Sequence, residues 1–218
     1  MRIRELVLIA GWAVAAVGAT PDTRGAVITV RVRNTAEVPP PVLQRASLEA
    51  KRIFHEAGVE TEWLLCPPAW GEGGHEPGCD MPHGPADLTL GIMPRSMEKD
   101  FQVPDSAYGI AIPSSDGLPA SYAYVLYGRV QELVKRAKHL EAGILGCVMA
   151  HEVGHLLLGR GHTPRGLMGA NWDSQALLEA ARGQLGFNGE QARRLQAEAE
   201  ARNRAPEATA APNLAAAT

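Results

Sequence analysis

Apolar residues recur along this chain with two distinct periods. Residues 26–33 (AVITVRVR) alternate apolar and polar and are rich in β-branched side chains, which predicts a strand with one wet face. Residues 59–66 (VETEWLLC) and 86–93 (ADLTLGIM) predict a second and a third strand. Residues 108–112 (YGIAI), flanked by Pro104 and Pro113, predict a short edge strand, and 121–127 (SYAYVLY) a fifth strand. The helical period appears between and after them. From Val42 to Gly58, Leu43, Ala46, Ala50, Ile53 and Phe54 share one face, with the prolines at 39–41 before it and Gly58 as its stop. Residues 128–139 predict a short amphipathic helix. Leu140 to Leu158 is apolar on most sides, as a buried helix is, and Asn188 to Arg202 predicts a last helix with Asn188 as N-cap. Strand, helix, several strands, then helices describe one α+β domain.

The two ends read differently. Arg2 and Arg4 precede an uncharged apolar run, Leu6 to Ala19, which closes on small residues at Val17 and Ala19. That is the pattern of a secretory signal, too short for a transmembrane span, with a mature chain starting near Thr20. Residues 203–218 are largely Ala, Pro and Thr with little apolar bulk, and predict a disordered tail. The domain therefore spans 20–202, in a chain that is secreted or periplasmic. Export makes Cys66 and Cys79, which bracket a Gly/Pro-rich loop, a candidate disulfide. Cys147 is left over and reads as a small buried residue. The chain has 218 residues and no internal repeat, and its 21 basic against 24 acidic residues leave a net charge of −3. A basic surface for nucleic acid is not implied.

The chemistry concentrates in residues 151–168. His151 and His155 stand four apart on the buried helix, so both rings point the same way and can pinch one ion. Glu152 is turned by about 100° from His151, near enough to reach water on that ion without being a ligand. A catalytic zinc takes three protein ligands and leaves a fourth place open. His162 is the expected third ligand, since Gly159 can end the helix and Gly161 lets the chain double back.

His151 to His162, followed by Met168, resembles the metzincin clan of zinc metalloproteases, within it small secreted bacterial proteins. The clan's pattern is H-E-x-x-H-x-x-G-x-x-H; here Gly159 and His162 each come one residue later. The resemblance implies a zincin/metzincin-like fold: a mixed twisted sheet, an active-site helix and a C-terminal helix. It implies a methionine turn at Met168 and Zn2+ as cofactor. It also implies an endopeptidase in which Glu152 activates a zinc-bound water. The partner expected is a peptide or protein substrate, with no nucleic acid, no membrane span after signal cleavage, and a monomeric chain. A substrate would extend along residues 108–112, with residues 170–172 as a pocket wall and Trp172 either there or in plain packing. Tyr122, Tyr124 and Tyr127 read as structural residues rather than oxyanion donors, and His75 and His83 as solvated loop residues. Two alternatives stand beside this reading: a non-catalytic protein with a structural zinc, and a zinc enzyme whose third ligand is Glu179.

Overall fold

The computed structural model describes residues 26–67, 78–79, 84–112 and 120–206. The expected signal segment, His75, His83 and positions 207–218 lie outside them. Among the described residues, five strands form one sheet in the order β2-β1-β3-β5-β4. They are β1 (Val27–Asn34), β2 (Glu60–Cys66), β3 (Asp87–Met93), β4 (Gly109–Ile112) and β5 (Tyr122–Leu126). All neighbours are parallel except β4, which pairs antiparallel with β5 and lies at the edge. The edge position expected for this strand is the one observed.

Helix α1 (Pro40–Glu56) joins the parallel neighbours β1 and β2, as such a pair requires. It begins two residues earlier than expected, because Pro40 and Pro41 occupy its first turn rather than precede it. A proline there loses no hydrogen bond, since first-turn N–H groups have no intrahelical partner. Leu43, Ala46, Ala50, Ile53 and Phe54 are all buried. They pack with Ile28, Val30 and Val32 of β1 and with Ile144, Leu145 and Val148 of α4 (Glu141–Leu158). Helix α4 runs through the centre of the molecule, which is why its sequence is apolar almost all round.

The face of β1 expected to be wet is so only in part: Val27 is exposed, Thr29 and Arg33 are half-buried, and Arg31 is buried. Strand β1 is internal, and Arg31 is 4% exposed. Its guanidinium pairs with Asp87 at 2.8 Å and donates to the Gly78 carbonyl at 2.7 Å. Arg33 donates to the Pro67 and Cys79 carbonyls. The two arginines thus hold the ends of the loop that the Cys66–Cys79 disulfide closes. A loop of that length contributes about 3 kcal/mol in the chain-entropy account.

Around this frame sit shorter elements. Helix α2 (Arg95–Glu98) was not expected, and α3 (Tyr127–Leu133) is shorter than expected, followed by a single 3-10 turn at Lys138–Leu140. Helix α5 (Ser174–Ala181) was also missed, although Asp173 caps it by accepting the Ala176 N–H. Helix α6 (Gly189–Arg204) starts with a full capping box: Asn188 accepts from Gln191 N–H, and the Gln191 side chain accepts from Asn188 N–H. It continues two residues past the expected boundary at Arg202, whose buried guanidinium donates to the carbonyls of Pro85, Ala120 and Leu156. That anchor fixes α6 against the end of α4, where the candidate site lies.

Candidate metal centre and cleft

Helix α4 carries His151 and His155 on one face, with their Nε2 atoms 3.0 Å apart. The helix ends at Gly159, which adopts φ +81°, and Gly161 follows at φ +138°. These left-handed conformations are open to glycine and strained for other residues. They turn the chain back so that the His162 Nε2 lies 3.2 Å from that of His155. Arg194 of α6 donates to the Leu158 carbonyl at 2.6 Å and satisfies the helix end. The three imidazoles offer ligand nitrogens that all lie within 4.8 Å of one another, and their burial decreases from His151 to His162. Three nitrogens on a tetrahedral zinc, each about 2.0–2.1 Å from it, would be about 3.3 Å apart. The two spacings from His155, 3.0 and 3.2 Å, fit that ion, and so does the donor set.

The far nitrogens of the rings orient the near ones. His151 Nδ1 lies 2.6 Å from the Leu167 carbonyl, and His155 Nδ1 lies 3.3 Å from the Gly159 carbonyl. A carbonyl can only accept, so each Nδ1 carries the proton and each Nε2 turns a free lone pair inward. Burial adds to this by lowering the pKa of His151 to about 4, and it lowers that of His155 as well. Neutral imidazole is the ligating form.

Glu152 is 3% exposed and faces the cleft beside the histidines. Among the described residues it has no ion-pair partner, and burial raises its pKa to about 8. The room for it comes from Gly109 in β4. A Cβ there would fall 2.5 Å from the Glu152 carboxyl carbon, and would also collide with the Tyr124 carbonyl. Gly109 was missed at the sequence level, although a glycine inside a short strand signals close approach. Met168 is buried, and a Cβ at Gly154 would fall 2.9 Å from its sulfur. The methionine therefore lies against the α4 backbone one residue before His155.

The histidines and Glu152 open into a cleft of about 690 Å³. Its walls are β4 and the preceding loop from Val103, the α4 residue Val148, and residues 169–172. Trp172 is in that wall and 9% exposed. Other sequence-level sites are elsewhere. Tyr127 donates to Glu141 at 2.8 Å, and the Tyr124 ring lies over Gly91 and against Phe101. Tyr108 is the phenol that lines the cleft, and burial raises its pKa. Glu179 sits on α5, accepts from Gln175 at 2.9 Å, and lines a separate pocket. Cys147 is fully buried, and its thiol pKa is pushed up to about 12, so it stays protonated.

These shifts carry a stability prediction for the metal-free protein. Folded Glu152 keeps its proton to about pH 8, against 4.5 for an ordinary glutamate. The stability this gives is full below pH 4.5 and is lost as pH rises through 8. His151 acts oppositely: its folded value of about 4 against 6.5 costs stability as pH falls from 6.5 to 4. Above pH 7 the Glu152 effect remains. Denaturant unfolding in excess chelator is expected to show a loss of about 1 kcal/mol between pH 7 and 8. Glu152→Gln should abolish that slope.

No protein-family model matches the chain, and no curated protein matches it in sequence. The fold does match solved structures. A zinc-dependent peptidase from Methanocorpusculum labreanum superposes with a TM-score of 0.51 at 15% identity, over 76% of this chain and 99% of that one. An archaemetzincin from Methanopyrus kandleri superposes with a TM-score of 0.49 at 17% identity, over 81% of this chain and 98% of that one. The first likeness shows the fold alone, an α+β arrangement that this chain shares with that structure.

Proposed function

We propose that this chain is an exported zinc-dependent endopeptidase. One observation carries the reading: three imidazole Nε2 atoms converge in a cleft, and the buried Glu152 carboxyl, without an ion-pair partner among the described residues, stands beside them on α4. His151, His155 and His162 would hold the ion. Bound there, zinc supplies Lewis acidity, which acidifies water and polarises the scissile carbonyl. Glu152 takes the proton from the attacking water and delivers it to the leaving amine. Its buried position keeps it basic enough for the first step and acidic enough for the second.

Among the described residues, strand β4 pairs on one side only, with β5, and it lines the cleft. An extended peptide adds to it as a further strand, main chain to main chain. The apolar walls, among them Ala107, Ile110, Val148 and Trp172, favour an apolar substrate side chain next to the cleaved bond. Met168 acts as packing beneath the site and touches no substrate. The Cys66–Cys79 disulfide supports export, in line with the signal pattern at residues 1–19. No helix among the described residues is long and apolar enough to cross a membrane.

The test uses the chain from Thr20 onward, purified with zinc present. Hydrolysis of casein that stops with 1,10-phenanthroline and returns with added zinc supports the proposal. A full equivalent of zinc with no hydrolysis of casein or gelatin would favour the structural-zinc alternative.

A further inference from the structure

We propose that Trp172 is a positioning residue for the first metal ligand, and that it acts through the Leu167 carbonyl. The inference rests on the reading of the three histidines as a zinc site. The Leu167 carbonyl has two lone pairs. One takes His151 Nδ1 at 2.6 Å, and the other takes the Trp172 indole N–H at 3.1 Å. The indole also stands edge-on to the His151 ring, with centroids 6.1 Å apart and planes at 81°. Its other ring neighbour is Tyr108, 5.9 Å away across the cleft.

The carbonyl needs such a tie. Between Thr163 and Asp173 the chain forms neither helix nor ladder, only a single bridge between Thr163 and Gly169. Backbone bonds from Thr163 N–H to the Met168 carbonyl, from Leu167 N–H to the Gly186 carbonyl and from Gly169 N–H to the Gly166 carbonyl shape the turn. None of them holds the Leu167 oxygen itself. The Trp172 N–H does, in a bond buried between two buried residues. A hydrogen bond in such surroundings is stronger than one in solvent. With the oxygen fixed, His151 keeps its proton on Nδ1 and its Nε2 lone pair on the ion. A phenylalanine at 172 could make the same ring contacts, but it could not hold the carbonyl.

The experiment compares the full chain with Trp172→Phe. Zinc affinity is read by competition with a chromophoric chelator, and ligand geometry by the visible spectrum of the cobalt(II) form. The expected result is a melting temperature of the metal-free variant close to that of the parent. Its zinc dissociation constant should rise roughly 10-fold, as for other partners of metal-bound histidines, and its cobalt bands should shift. Equal zinc affinity and an unchanged cobalt spectrum would overturn the role of Trp172 alone. A parent protein that binds no zinc would overturn the reading of the site as well. If Trp172→Phe does not fold, benzothienylalanine at position 172, which keeps the indole shape without the N–H, gives the same two readouts.

Discussion

Replacing Glu152 by glutamine is expected to lower kcat for peptide hydrolysis roughly 10³-fold, while the purified protein keeps its zinc. The substitution preserves the shape of a side chain packed against Gly109, and it removes the carboxyl that α4 presents to the cleft beside its two histidines. Because glutamine is neutral, the cost of burying a carboxylate disappears, and the variant should be no less stable than the parent. KM should change little, since Glu152 binds no part of the substrate in the ground state. The two readouts divide the possible outcomes. Loss of zinc together with activity would make Glu152 a ligand rather than a base. Retention of both would remove it from the chemistry altogether.

The second large effect is expected at His162. Changing it to alanine should weaken zinc binding at least about 10²-fold, an equal share per ligand of the binding energy of a zinc site, and hydrolysis should fall with it. Glu179→Ala should leave zinc content and activity unchanged. The geometry separates the two residues. The His162 Nε2 lies 3.2 Å from that of His155, whereas Glu179 lines a different pocket and is engaged by Gln175. Zinc measured in both purified variants, by mass spectrometry of the metal, decides between them. Loss of zinc only in Glu179→Ala would sink the three-histidine site.

The site was legible in the sequence because its geometry is local. Two histidines one helical turn apart need only a helix to meet, and a third needs only a glycine to turn the chain back. The same holds for the face of α1 and the Asn188 cap of α6, which depend on residues within one element. What the sequence hid depends on distant partners. Arg31 reads as a solvated strand residue until Asp87 and Gly78 are seen beside it. Gly109 is one unremarked residue of an expected edge strand until the Glu152 side chain is placed against it. Trp172 reads as pocket wall or plain packing until its N–H is found on the carbonyl that holds His151. Helix α3 stops at Leu133 with neither glycine nor proline to announce it, and α5 is too short for a helical period to stand out. The strand order, with β1 between β2 and β3, follows from crossover connections that no local pattern records.

The central claim is that three imidazoles grip one ion and leave a corner open. X-ray absorption at the zinc edge of the purified, zinc-loaded chain tests it most directly. The account predicts scattering from three histidine rings at about 2.0–2.1 Å together with one lighter oxygen ligand. A sulfur ligand at about 2.3 Å, or a shell closed by four protein ligands, would contradict it.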